Sequence, residues 1–363
     1  MKCKSNKWIF LTLIMALTFI GCEKDNGDST IEPETIVYSA GWSKNSSGVA
    51  IPGYWKNGIW NGLTTLSVNH YSCARSITVS NNDIYIGGYS TNSAGITVSG
   101  YWKNGNWIEL PPVIPSKNSD VFSLAVSGSD IYAAGTCDVS GGNLPGYWKN
   151  GTWSALPKLD AAKSSSVVSI IVSGENIYVG GNNNNTNNIS IPGYWKNNVW
   201  NALPALDISK NSYIQSLFVS GNDIYAGGFC FNNLNISIPG YWKNGVWFEC
   251  SSIDATKNSE VNCITVSGND VYTGGYSINN SGVRVPGYWK NGIWNGLSPL
   301  DGTKTAYVYS LEISGNDVYA GGITYNSSNI MIAGFWKNGI WNALPSIDIT
   351  KHSQLCNMVI IDK

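Results

Sequence analysis

Charged side chains are scarce in this chain. They make up 12 % of its 363 residues, against about a quarter in ordinary soluble proteins. That scarcity argues against a helical or a disordered protein. Cationic excess is also missing. Net charge is −1, and without Lys2, Lys4 and Lys7 nineteen basic residues face twenty-three acidic ones, a balance of −4. Nucleic-acid binding needs a basic face and finds no support here. Histidine occurs twice, at His70 and His352, which leaves little for metal or acid–base chemistry. No HExxH motif, phosphate loop or Ser-His-Asp arrangement appears. The longest apolar run, Trp8 to Ile20, is too short to span a bilayer comfortably as a permanent helix. Abundant instead are 40 glycines, 16 tryptophans and 20 tyrosines, the composition of strands, turns and aromatic packing.

The first residues read as an export segment. Lys2, Lys4 and Lys7 precede the apolar run, which ends in Phe19-Ile20-Gly21-Cys22. Residues 1–21 are expected to be a signal peptide. The end of the segment resembles a bacterial lipobox, although Phe19 stands where leucine is usual. That resemblance implies lipid on Cys22, membrane attachment through that lipid alone, and an outer-membrane lipoprotein of a Gram-negative bacterium. Acyl chains contribute ~0.8 kcal/mol per buried methylene, so several on one cysteine anchor stably. Residues 22–34 are charged, with Gly and Pro and no apolar periodicity, and read as a solvated acidic tether. The acidic stretch resembles a surface-export signal of some Gram-negative lipoproteins, which implies exposure on the cell surface.

From residue 35 to 363 the chain repeats itself. GYWKNG or a close variant recurs with its aromatic at Tyr54, Tyr101, Tyr147, Tyr194, Tyr241, Tyr288 and Phe335, about every 47 residues. A second string, I/V-Y-x-G-G or a variant, recurs with Tyr38, Tyr85, Tyr132, Tyr178, Tyr225, Tyr272 and Tyr319. Each repeat carries four strand signals. Val121 to Pro157 shows them: VFSLAVSG, SDIYAAG, LPGYWKNG and GTWSALP, the last two joined by Asn150-Gly151. Asn-Gly between aromatic runs is a hairpin signal, because both central residues of a type I′ turn need positive φ. Four short antiparallel strands at this period predict a propeller blade. The first repeat lacks its opening strand, and QLCNMVII at 354–361 matches it. The fold expected is an all-β, seven-bladed β-propeller of four-stranded blades, closed by the C-terminal strand pairing into the first blade.

The order of apolar strand, double glycine, loop, Tyr, Trp six residues on, Leu-Pro and a basic residue resembles the kelch repeat. The stretch before the glycines is one residue shorter than in kelch, and the basic residue is Lys rather than Arg. The resemblance implies a propeller and, because kelch propellers include binding domains and oxidases, no single activity.

Repetition separates scaffold from function. Fourteen tryptophans lie in the GYWKNGxW motif and are expected to fill the space between blades. Asp83, Asp130, Asp223, Asp270 and Asp317 belong to repeated turns. The first-to-second and third-to-fourth turns share one face and are near-identical. The second-to-third and fourth-to-first connections share the other and vary, so binding is expected there. The second-to-third loops read as long, polar and irregular, opening with Trp42, Tyr89, Thr136, Asn182, Phe229, Tyr276 and Ile323. Trp42, Tyr89, Phe229 and Tyr276 are the aromatic ligand-binding candidates. The fourth-to-first connections carry Lys117, Lys163, Lys210, Lys257, Lys304 and Lys351, with His70 in the seventh place. Asp160, Asp207, Asp254, Asp301 and Asp348 precede five of the lysines by three residues. One reading is a local Asp–Lys pair of ~0.2–1 kcal/mol. The other is a lysine ring at the channel mouth that draws an anion or acidic glycan.

No catalytic residue, metal or cofactor is assigned from sequence. Kelch-type copper oxidases need a histidine pair with tyrosines and a cross-linking cysteine around the metal. His70 and His352 begin neighbouring first strands and could both face the channel mouth, but they read as two surface histidines, and the sialidase S-x-D-x-G-x-T-W box is missing. First strands offer Glu260 and Glu312 for paired-carboxylate hydrolysis and little else. Cys73 and Cys356 fall on neighbouring first strands, where pairing is feasible, while Cys137 and Cys230 lie two blades apart. The expectation is a monomeric, non-catalytic surface binding module for a glycan or protein. A carbohydrate-active or oxidase-type enzyme and a structural subunit of an outer-membrane complex remain the alternatives.

Overall fold

The structure is a computed structural model that describes residues 35–140 and 142–362. The expected signal peptide, Cys22 and the tether lie outside those residues. Seven four-stranded antiparallel sheets follow one another as blades 1 to 7. In blade 1, Thr35–Lys44, Ala50–Lys56 and Ile59–Gly62 pair in order, and Ser353–Asp362 completes the sheet beside Thr35–Lys44. The C-terminal strand therefore closes the ring, as the missing opening strand predicted.

The repeated tryptophans hold blade to blade. Trp55, Trp102, Trp148, Trp195, Trp242, Trp289 and Trp336 are fully buried. Each indole N–H donates to a carbonyl of the preceding blade's fourth-to-first connection, as Trp102 does to Thr64 at 2.8 Å and Trp195 to Pro157 at 2.8 Å. Trp55 reaches Pro345 of blade 7 at 2.8 Å and so ties the ring shut a second time. The partner tryptophan across each hairpin lies tilted against the first, with ring centroids 4.4–4.6 Å apart. Burial of so large a ring with its polar atom satisfied is why the motif recurs in every blade.

The uniform face carries one repeated cluster. Asp83, Asp130, Asp223, Asp270 and Asp317 pair with Lys103, Lys149, Lys243, Lys290 and Lys337 at 2.8–3.2 Å. The hairpin asparagine, such as Asn104, donates to the same carboxylate at 2.7 Å. Its carbonyl accepts the Ile84 N–H at 2.9 Å. One aspartate thus joins the two turns of that face, and these bonds hold its carboxyl below the ordinary range. The hairpins have the expected positive φ, for example +46° at Asn57 and +80° at Gly58.

Each innermost strand bulges opposite the double glycine, or opposite the Ala-Gly that replaces it in blades 1 and 3. The register of Cys73–Ser80 against Asp83–Thr91 steps from Ala74↔Gly88 to Ser76↔Gly87 and leaves Arg75 unpaired. The same step recurs in all seven blades. A Cβ on Gly88 would collide with the Cys73 carbonyl, and its equivalents meet the same obstacle. The second glycine is what lets the strands approach closely enough to bulge.

Candidate functional site

A β-bulge re-aims one side chain, and here it aims seven into the central channel. Arg75, Phe122, Val168, Gln215, Asn262, Tyr309 and Cys356 are the unpaired bulge residues, one per blade. All seven line a cavity of about 410 Å3. No two are alike. One residue on, serine stands in five blades, and three of these clasp the ring: Ser76 Oγ accepts the Leu124 N–H, Ser123 Oγ the Ile170 N–H and Ser310 Oγ the Met358 N–H, each at 3.1 Å. Asn357 does the same across the closure, accepting from Ile77 at 2.9 Å. A fixed clasp therefore sits beside a free position.

Charge in the channel is sparse and mostly spoken for. Arg75 forms a two-point ion pair with Asp120, at 2.7 and 3.2 Å, and lies over Tyr89 and Phe122. Burial pushes the Asp120 carboxyl up, against the pull of the Arg75 guanidinium. Glu312 also lines the channel, and burial pushes its carboxyl up to about 8. Its carboxyl therefore favours the protonated form at neutral pH. The Cys73 and Cys356 thiols are free; the Cys73 thiol donates to the Ala74 carbonyl at 3.8 Å, and interaction with Cys73 holds the Cys356 thiol below the ordinary range.

The mouth is built from cross-strand pairs. The residues expected to open the second-to-third loops lie inside the second strands, each opposite the second or first residue of an innermost strand: Trp42↔Gln354, Tyr89↔Cys73, Thr136↔Asp120, Asn182↔Ser166, Phe229↔Tyr213, Tyr276↔Glu260 and Ile323↔Tyr307. Trp42 and Tyr89 are half-buried and meet the exposed Tyr71 in a cleft of about 370 Å3 between blades 1 and 2. Phe229 is buried, 5.2 Å from Tyr213 and 5.9 Å from Phe231. Tyr276 is buried beneath Arg284. Only the first pair of the four aromatic candidates thus offers a ring face to solvent.

The connections differ from their expected form. The second-to-third loops are tight turns, not long irregular ones. Asn92 Oδ1 accepts the N–H groups of Ala94 and Ile96 at 3.0 and 3.1 Å, and Gly95 closes the turn at φ +79°. Asn185, Asn232, Asn279 and Asn326 repeat this. The asparagine side chain replaces a backbone acceptor, which shortens the loop. In the fourth-to-first connections the aspartates do not pair with the lysines. Asp207 accepts from Ser209 N–H and Oγ at 2.9 and 2.7 Å, while the Lys210 N–H donates to the Asp207 carbonyl at 3.0 Å. None of the six lysines lines the channel. Lys210 and Lys304 face clefts between blades 4 and 5 and blades 6 and 7, Lys117 and Lys257 are exposed, and Lys163 and Lys351 are half-buried.

The histidines are engaged locally. His352 Nδ1 accepts the Met331 N–H at 2.9 Å, the task Asn118, Asn211 and Asn258 perform in other blades. His70 Nδ1 lies 3.0 Å from Ser67 Oγ. No group of three or more metal-ligating side chains is gathered among the described residues.

The bulge ring was missed in the sequence because a bulge is a property of pairing. The signal was present: aligned on the glycine pair, this column holds seven different residues.

No family model matches the chain, and no curated protein matches it. Solved structures with a similar fold include YjhT, at 11 % identity and TM-score 0.43 over 75 % of this chain and 97 % of that one. YCF48 bound to D1 peptide is similar at 15 % identity and TM-score 0.45, over 80 % and 84 %. A mutant of AofleA from Arthrobotrys oligospora is similar at 14 % identity and TM-score 0.45, over 80 % and 88 %.

Proposed function

We propose that this protein is a non-catalytic binding module, anchored at the outer-membrane surface through lipid on Cys22, that takes a glycan on the variable face of a kelch-like propeller. One observation carries the reading. Side chains that change from blade to blade gather at the channel, its mouth and the inter-blade clefts of one face, while the repeated ones are consumed in contacts between blades. The channel lining includes Ser, Asn and Gln beside apolar and aromatic residues, and those three supply donors and acceptors suited to hydroxyl groups. At its rim Trp42, Tyr71 and Tyr89 form an aromatic cleft of the kind that stacks on an apolar sugar face. The enzyme reading is weaker, because Glu312 is held protonated and Asp120 is tied to Arg75. Paired-carboxylate hydrolysis needs one free carboxylate as base or nucleophile.

The test is a glycan array with the full-length protein, with and without EDTA, repeated with Trp42→Ala and Tyr71→Ala together. Binding that survives EDTA and falls in the double variant supports the reading. A blank array contradicts it and moves the search to protein partners from the native envelope.

A further inference from the structure

The chain has two arginines, Arg75 and Arg284, and they are placed very differently. Arg75 has its carboxylate. Arg284 stands at the start of the third strand of blade 6, where the other blades have Ala50, Thr97, Asn143, Ser190, Ser237 and Met331. Nothing in the repeat requires an arginine there. Its guanidinium is nevertheless fixed: Nη1 donates to the Tyr307 hydroxyl at 2.8 Å, and the group lies 5.1 Å from the Tyr276 ring centroid and 5.6 Å from that of Tyr307. Nε is shielded from water and has no acceptor. Leaving a buried donor unsatisfied is costly, more so when it is charged, so the arrangement is poised for an acceptor it does not contain.

That arginine lines a cleft of about 350 Å3 between blades 6 and 7, with Lys304, Thr303, Tyr307, Tyr325 and Asn329. Two cations and no carboxylate line it. Glu260 is the nearby acid; it feels the charge of Arg284 but forms no ion pair with it and does not line the cleft. A planar guanidinium held between rings, with a second cation across the cavity, recognises a planar oxyanion. The hydroxyl and amide groups around it suit a polyhydroxylated ring.

We infer that the cleft between blades 6 and 7 binds the carboxylate of an acidic sugar, a uronic acid residue of a polysaccharide, with Arg284 as the carboxylate clamp. Lys304 supplies the second charge, and Tyr307 and Tyr325 the surface beside the ring. This rests on the reading of the protein as a glycan-binding module and names the ligand chemistry of one cleft.

The test is calorimetric titration of the full-length protein with oligogalacturonate, its neutral methyl ester and poly-glutamate. Wild type binds oligogalacturonate, and methyl esterification weakens binding about tenfold or more, the scale of a charge-assisted two-point bond. Arg284→Ala causes a similar loss, Arg284→Lys restores part of it, and Lys304→Ala costs less. Lys196→Ala, which removes a charge from the uniform face, changes nothing. The inference is overturned if wild type does not bind oligogalacturonate, if the methyl ester binds equally well, or if Arg284→Ala leaves affinity unchanged. Equal binding of poly-glutamate overturns the sugar assignment and leaves charge alone. The wild-type comparison of acid and ester needs no variant to fold. A blank glycan array sinks the wider reading, whereas neutral glycans bound with oligogalacturonate refused sink only this one.

Discussion

The two ends of each innermost strand obey different rules. Toward the uniform face five blades share one solution, the Asp–Lys–Asn cluster that binds two turns together at nearly constant distances, and Asn176 takes the aspartate's place in blade 4. Toward the variable face the cross-strand pairs and bulge residues are different in every blade. The difference teaches that sequence identity between repeats marks residues used up in holding the ring. Sequence difference marks side chains that the ring has no need of.

Substitutions can break that division or sharpen it. The largest effect belongs to the frame. Trp195→Ala removes a fully buried indole and its bond to Pro157, and is expected to cost ~3–5 kcal/mol in denaturant unfolding. A next and pH-dependent effect is expected in the channel. Glu312 is held protonated up to about 8 by burial. The folded state keeps a proton that the unfolded chain releases from about pH 4.5 upward. This group's contribution is therefore most favourable at low pH and is lost as pH rises toward 8. Glu312→Gln should raise the melting temperature at about pH 9 by an amount equivalent to ~1–3 kcal/mol, and change little at about pH 4. A gain at low pH and none at high pH would contradict the burial.

Smaller effects separate neighbours on one strand. Ser123→Ala removes the acceptor of the Ile170 N–H between blades and should cost ~1–2 kcal/mol. The adjacent column should not respond: Gln215→Ala is expected within ~0.5 kcal/mol of wild type, since the repeat places no demand on it. Equal losses at the two columns would erase the distinction between clasp and free position. Finally, Cys356 lines the channel, is only half-buried, and has its thiol pKa lowered by interaction with Cys73. It should alkylate before Cys137, Cys230 and Cys250, which burial pushes up, and Cys73→Ser should slow it.

Much of the frame was legible before any coordinates. Two interleaved motifs at one period gave the blade count, and the orphan strand at 354–361 gave the closure. Tryptophan packing was legible because one residue serving seven identical environments must face the same neighbours. The candidate site was less so. Tyr89 and Tyr276 read as loop residues because Asx turns at Asn92 and Asn279 shorten what looks long and polar. The fourth-to-first aspartates read as partners of lysine, while the nearer backbone N–H and hydroxyl win the carboxylate. Arg284 was invisible as a site, because its meaning depends on two tyrosines from different blades.

The central claim is that the variable face is the binding face. Hydroxyl-radical footprinting of the full-length protein on a bound glycan, read residue by residue, tests it most directly. The account predicts protection at Trp42, Tyr71 and Tyr307, with Ile59, Val199 and Ile340 beyond the uniform-face hairpins unchanged. Protection of those three aliphatic residues, with the aromatic clefts unaffected, would contradict it.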